Sequence, residues 1–215
     1  MENRDKIRLI YGTGNLAKLE LMKEYMSNME DVEIIGLREL SCAWEEPEES
    51  GKEPLENARQ KALCYYRTCR MPVFSEDSGL FIEGLPEEEQ PGVHVRRVGG
   101  KNLTDEEMRA YYKGIAARFG GRCVAQYRNA ICLVFSEDEI YESRPGELNW
   151  EKFYLTTDER EQQLEGFPLD AISADFKTGR HFYDYGGEFE PENGKGSELF
   201  FKRALEAHDK RVNGK

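Results

Sequence analysis

Near the start of the chain, Ile7-Arg8-Leu9-Ile10-Tyr11 alternates enough to be a strand and runs into the turn-forming cluster Gly12-Thr13-Gly14-Asn15. Leu16, Leu19, Met22, Tyr25 and Met26 then follow at helical spacing. A strand, a glycine-containing loop and a helix in that order point to an α/β arrangement, in which helices cover a sheet. The pattern recurs. Val32-Glu33-Ile34-Ile35 reads as a second strand and the acidic, proline-containing residues 44–52 as a loop. Pro54 fits the first turn of a helix with Leu55, Ala58, Ala62 and Tyr65 on one face, stopped by Met71-Pro72. Val73-Phe74-Ser75 and Gly79-Leu80-Phe81-Ile82 read as two short strands flanking Glu76-Asp77-Ser78.

Further along, Thr104-Asp105-Glu106-Glu107 has the form of a capping box, opening a helix to about Phe119 that Gly120-Gly121 ends. Residues 122–135 and 139–142 form the pattern of a β-hairpin, and Phe153-Tyr154-Leu155 a weaker strand. Residues 175–194 read as a loop rich in Gly, aromatic and acidic residues, and Ser197 as the cap of a last helix through about His208. At 215 residues the chain needs no disulfide to support a core, and no repeat or linker separates independent domains. The expectation is one α/β domain, a mixed twisted sheet flanked by helices. Ligands in such folds collect at the carboxyl ends of strands, where Thr13-Gly14-Asn15 and Glu76-Asp77-Ser78 are both expected.

Composition removes several classes of function. A net charge of −12 disfavours a nucleic-acid polymer, whose affinity comes largely from Lys and Arg neutralising phosphates, though a single nucleotide in one cleft remains compatible. No apolar run approaches the length that spans a bilayer, and the charged Met1-Glu2-Asn3-Arg4-Asp5-Lys6 lacks the core of a signal peptide, so the expected address is the cytoplasm with no membrane partner. Cys42, Cys64, Cys69, Cys123 and Cys132 form no Cys-x-x-Cys pair, which speaks for incidental thiols rather than a disulfide framework or zinc site. The three histidines, His94, His181 and His208, are scattered, which speaks against a His-based metal site.

Three segments carry chemistry. Thr13, Gly14, Asn15 and Lys18 present backbone N–H groups, a hydroxyl, an amide and an ammonium within one helix turn, a set able to hold phosphate, although the P-loop spacing is absent. The same residues also read as an ordinary N-capped helix. Glu53 at the next helix start supplies a hard oxygen for Mg²⁺, with Lys61 two turns on as a phosphate contact; a carboxylate favoured by the helix dipole is the structural alternative. Glu76 and Asp77 lie between apolar strands, where unpaired carboxylates are costly, and alternation points them to opposite faces. The one facing the cleft would ligate a metal or hold a water for attack on phosphorus; a turn with a salt bridge is the plainer alternative.

Together these segments resemble the inosine triphosphate pyrophosphatase family. The family's T-x-N-x-x-K is Thr13, Asn15 and Lys18; its E-x-G-x-x-x-x-E-N-A-x-x-K-A is Glu49, Gly51, Glu56, Asn57, Ala58, Lys61 and Ala62. Its D-D-S-G-L becomes Glu76-Asp77-Ser78-Gly79-Leu80, and its P-G-V-x-x-R is Pro91, Gly92, Val93 and Arg96, so the likeness runs through residues 7–135. The resemblance implies an elongated, two-lobed single domain around a central cleft, a homodimer, and Mg²⁺-dependent hydrolysis of a non-canonical purine triphosphate such as ITP, dITP or XTP to the monophosphate and pyrophosphate. It implies Asp77 as the water-activating or metal-binding group, Glu53 as the second metal ligand, and Ser78, Lys18 and Lys61 on phosphate.

The C-terminal third departs from the family. F-G-Y/W-D-P stands as Phe167-Pro168-Leu169-Asp170-Ala171, keeping a Phe able to stack on a base and the Asp. K-x-x-x-S-H-R keeps Lys195 but ends in Leu199-Phe200-Phe201, which cannot donate the hydrogen bonds that the resemblance assigns to reading the 6-oxo group. A changed base preference is therefore expected, unless Lys202-Arg203 restores the cation after a local shift of the helix.

Overall fold

Thirteen regular elements follow one another in the computed structural model, which describes residues 6–40, 44–45, 47–162, 164–186 and 194–214: β1 (Ile7–Tyr11), α1 (Leu16–Tyr25), β2 (Val32–Gly36), α2 (Pro54–Cys69), β3 (Val73–Ile82), β4 (Arg97–Val98), β5 (Lys101–Asn102), α3 (Asp105–Arg118), β6 (Arg122–Ser136), β7 (Glu139–Glu142), β8 (Phe153–Thr156), β9 (Ser173–Asp175) and α4 (Gly194–Asn213). The fold is mixed α/β. The main sheet has the order β2-β1-β3-β6-β8-β9 with β7 also on β6. β1 runs parallel to both β2 and β3, whereas β6, β7, β8 and β9 join through antiparallel pairs.

The described residues divide into two compact units, one within Met1–Asp77, Asn129–Leu148 and Asn193–Lys215, the other within Ser78–Arg128 and Asn149–Glu192. In the first, β1 sits between two parallel neighbours and its alternate side chains are buried on both faces, which is why residues 9–11 are apolar without interruption. Leu9, Tyr11 and Phe74 pack with Leu19 and Met22 of α1 and Phe200, Phe201 and Ala204 of α4. Ile10 and Val73 face Tyr65 of α2, and Ala58 and Ala62 of α2 close on Cys132 and Val134 of β6. The chain thus leaves β1 for one face and returns to β3 across the other, so the carboxyl end of β1 is a switch point of the kind where α/β folds bind ligands.

In the second unit, Met108, Tyr112, Ile115 and Ala116 of α3 pack on Leu80, Ile82, Cys123, Ala125, Phe153 and Leu155 of β3, β6 and β8. Thr104 caps α3, accepting from Glu107 N at 3.2 Å while the Glu107 carboxylate accepts from Thr104 N at 2.9 Å, the expected capping box.

Two expectations fail, each for a packing reason. Residues 73–82 are one continuous strand, not two: Asp77 and Ser75 on one face and Glu76 on the other each find a partner, so the polar segment need not leave the sheet. Ser197 does not cap the last helix. It is buried inside α4, which begins at Gly194 and continues past His208 because that ring stacks on Phe135 (3.8 Å between centroids) and pairs with Glu139 (2.8 Å), and Arg211 donates to the Asp138 carbonyl (3.1 Å). Within the expected loop at 175–194, Phe182–Tyr185 forms a 3₁₀ turn; residues 187–193 lie outside the described residues, as does Cys42. No described helix is long and apolar enough to cross a membrane.

Candidate functional site

Gly12 opens the loop after β1, and its identity is set by proximity: a Cβ there would stand 2.3 Å from Ser75 Oγ and 2.5 Å from the Tyr65 ring. Ser75 Oγ donates to the Gly12 carbonyl (3.2 Å), tying this loop to β3 two residues before Asp77. Beyond Gly12, Thr13 Oγ1 accepts from Asn15 N (3.2 Å), and Asn15 Oδ1 accepts from the N–H groups of Ala17 (2.9 Å) and Lys18 (3.2 Å). Asn15 is therefore the N-cap of α1, and its carbonyl shapes the turn that presents Thr13 and Lys18. Gly14 is exposed, with open space where a Cβ would be.

The loop before α2 is organised from within that helix. Asn57, 1% exposed, accepts from Gly51 N (2.7 Å) and donates from Nδ2 to Asp77 Oδ2 (3.2 Å). Gly51 must lack a side chain, since a Cβ would lie 2.6 Å from Asn57 Oδ1. Glu56 Oε2 accepts from the Lys52 N–H (2.8 Å), and Gln60 Oε1 from the Ser50 N–H (3.1 Å). The helix thus fixes both the loop and the carboxylate that faces it.

Asp77, 7% exposed, has its other oxygen on Lys61, with Nζ 2.6 Å from Oδ1, and the same ammonium lies 3.1 Å from Glu49 Oε1. Burial alone would lower the Lys61 pKa, but Asp77 and Glu49 outweigh it and hold the ammonium above its ordinary value. Glu76 faces the opposite side of β3, where Tyr11 OH donates to Oε2 (2.9 Å); burial first, and then Glu76, keep that phenol protonated well above its usual range.

The structure joins Asp77 with Lys61 and adds Glu49 and Asn57, which the sequence presents only as letters of the family motif. Glu53 is the exposed N-cap of α2, and the carboxylate that shares a cation with Asp77 is Glu49. Ser78 follows Asp77 on β3, half-buried, and Lys195 is exposed in the first turn of α4. In the second unit Phe167 and Asp170 are half-buried, and desolvation pushes the Asp170 carboxyl up to about 7. Burial pushes the Cys123 thiol up to about 11 and that of Cys132 to about 12, so neither is a nucleophile at neutral pH.

Among the described residues, no three His, Cys, Asp or Glu side chains converge as a ready metal cage. Mg²⁺ needs no such cage, because one or two carboxylates with water and substrate phosphates complete its octahedron. Glu49 and Asp77 fit that requirement: both are hard oxygen donors and they already hold one cation, the Lys61 ammonium, between them.

Phe200 and Phe201 belong to the apolar core around β1 and β3. Both are fully buried, with Phe201 edge-on to Phe74 at 4.8 Å and to Phe200 at 5.1 Å. The neighbouring cations are also engaged: Lys202 pairs with Glu198, and Arg203 Nη2 lies 2.7 Å from Glu147 Oε2.

Against known families, the model of the Ham1 family matches residues 9–152. The chain belongs to the Ham1 family. A dITP/XTP pyrophosphatase of Leptospira interrogans is 33% identical over 101 residues, covering 47% of this chain and 49% of that protein. One from Rhodopseudomonas palustris is 28% identical over 157 residues, 70% of this chain and 72% of that protein. In matches such as the first, this Ham1-family chain spans about half the length of the curated relative. Two solved structures share the fold nearly end to end: the Ham1 protein of Staphylococcus aureus (TM-score 0.64, 20% identity, 94% of this chain and 99% of that one) and a HAM1 protein from Coxiella burnetii (TM-score 0.64, 24% identity, 97% and 100%).

Proposed function

We propose that this Ham1-family protein is a nucleoside-triphosphate pyrophosphatase that cleaves a non-canonical purine triphosphate such as ITP, dITP or XTP to the monophosphate and pyrophosphate with Mg²⁺. The observation that carries this is Asp77, a buried carboxylate at the β1–β3 switch point, oriented by Asn57 on one oxygen and by a charged lysine on the other. Relatives named dITP/XTP pyrophosphatase support the substrate class.

In this reading the Thr13 hydroxyl, the Lys18 ammonium and Ser78 hold the phosphate chain, and Asn15 keeps their loop in shape. Asp77 takes a proton from a water whose oxygen bonds to the α-phosphorus, while the bond from that phosphorus to the α,β-bridging oxygen breaks and its electron pair leaves with pyrophosphate. Lys61 moves onto the developing charge of the leaving group. Glu49 and Asp77, with Glu53 close by in sequence, would hold Mg²⁺, which would supply charge neutralisation. On the family motifs alone, Phe167, Asp170 and Lys195 are each candidate substrate contacts. One site per chain, a homodimer and a cytoplasmic address complete the proposal.

A release assay across ITP, XTP, dITP and the four standard triphosphates with Mg²⁺ tests it, with pyrophosphate as the expected direct product. Tight binding without turnover of any triphosphate would leave a nucleotide-binding protein on an enzyme's fold. Orthophosphate as the direct product would instead indicate a phosphatase using Asp77 as its nucleophile.

A further inference from the structure

Lys61 occupies the ground on which a divalent cation would sit. Its ammonium bridges Glu49 and Asp77 at 3.1 and 2.6 Å, with four-fifths or more of the lysine side chain covered (13% exposed) and Glu49 half-exposed (44%). A metal ion and an ammonium both answer the mutual repulsion of two carboxylates, and both cannot lie between the same oxygens. The two ends of the arrangement also differ in mobility. Asp77 Oδ2 is fixed by Asn57, itself nearly fully buried and hydrogen-bonded to the Gly51 backbone, whereas Oδ1 is met by the end of a four-carbon chain. If the ammonium leaves, Oδ1 is vacated while the carboxylate keeps its orientation. Glu49 adjoins Ser50, whose N–H and hydroxyl are both tied to Gln60.

We propose that Lys61 is a resident counter-ion that holds Glu49 and Asp77 together in the nucleotide-free protein and is displaced from between them by a divalent cation, moving to the phosphates that arrive with it. This rests on the pyrophosphatase reading for the identity of the phosphates, but the exchange itself concerns the protein and the cation alone. It makes the free protein a weak binder of divalent metal by construction. Removing the lysine charge therefore strengthens metal binding, although it removes a group that the reaction uses.

The test is Mn²⁺ binding, read by electron paramagnetic resonance on the full chain without nucleotide, for the wild type, Lys61→Met, Lys61→Gln and Lys61→Arg. The expected result is at least a tenfold tighter Mn²⁺ dissociation constant in Lys61→Met and Lys61→Gln, no gain in Lys61→Arg, and loss of the gain when Glu49→Gln is added. Equal or weaker binding in the neutral variants, or an equal gain in Lys61→Arg, overturns the exchange. So does failure of both neutral variants to reach the native fold in millimolar Mn²⁺, because a cation that takes the ammonium's place would restore the fold. Pyrophosphate release by the wild type together with unchanged Mn²⁺ affinity in the variants removes this inference and leaves the function intact. A Mn²⁺ gain in the variants with no turnover of any triphosphate by the wild type does the reverse.

Discussion

The two faces of β3 hold their charges in different ways. Toward α2, Asp77 is gripped by a rigid amide on one side and the flexible Lys61 on the other, with Ser75 behind it on the Gly12 carbonyl. On the opposite face Glu76 is held by Tyr11, whose ring is fully buried and stacked on Phe74 (4.5 Å between centroids, 12° between planes), and Phe74 in turn meets Phe201 edge-on. Adjacent residues of one strand therefore carry an exchangeable carboxylate and an immobilised one. Two neighbouring acids in a sequence need not share a task; the elements packed against each face decide what each one can do.

The comparison breaks first at the carboxylates. Asp77→Asn is expected to reduce pyrophosphate release by about 10²–10⁴-fold with nucleotide binding largely retained, the range for loss of a positioned proton acceptor. Glu76→Gln is expected to cost less than about tenfold, because Tyr11 keeps an acceptor in the amide oxygen. Equal losses in steady-state rates would put both acids in the same role. On the aromatic face, Phe201→Ala is expected to lower unfolding free energy by about 3–5 kcal/mol, as for other buried aromatics, read by urea denaturation. Phe201→Arg is expected to impair folding outright; a folded variant with a new preference for 6-oxopurines would show that this face reads the base after all.

Two smaller effects sharpen the contrast. Asn57→Ala strands the Gly51 N–H and one oxygen of Asp77, at a cost of about 1–3 kcal/mol in stability, and is expected to lower kcat more than it raises KM because it loosens Asp77. A change in KM alone would assign Asn57 to the phosphate loop only. Tyr11→Phe is expected to cost about 1 kcal/mol and to leave turnover near normal, since half-buried Glu76 can turn to water.

The alternation of Ile7–Tyr11, the glycine loop and the apolar spacing of α1 and α2 were legible in the sequence because they depend on local periodicity. The capping box at Thr104 was legible for the same reason. The continuity of β3 was not: it depends on Lys61, Asn57 and Tyr11 reaching Asp77 and Glu76 across 16, 20 and 65 residues of sequence, which no local window contains. Glu49 was hidden among the other acids of its loop, and only its convergence with Asp77 on Lys61 singles it out. The buried pair Phe200-Phe201 reads from sequence as a damaged binding motif and from the structure as part of the core, because burial, unlike motif position, is set by Phe74 and Tyr11 on strands far away. A signal was available in Gly51, whose lack of a side chain makes room for Asn57 and so marks the loop as one pinned from α2.

The most direct measurement is hydrolysis of ITP and XTP in ¹⁸O-labelled water with Mg²⁺, following both products by mass spectrometry for the wild type and Asp77→Asn. Pyrophosphate free of label, one ¹⁸O in the nucleoside monophosphate, and near-complete loss of both products in the variant are the predicted result. Label in pyrophosphate or orthophosphate, or undiminished turnover by Asp77→Asn, would contradict the assignment of Asp77 as the group that directs water to the α-phosphorus.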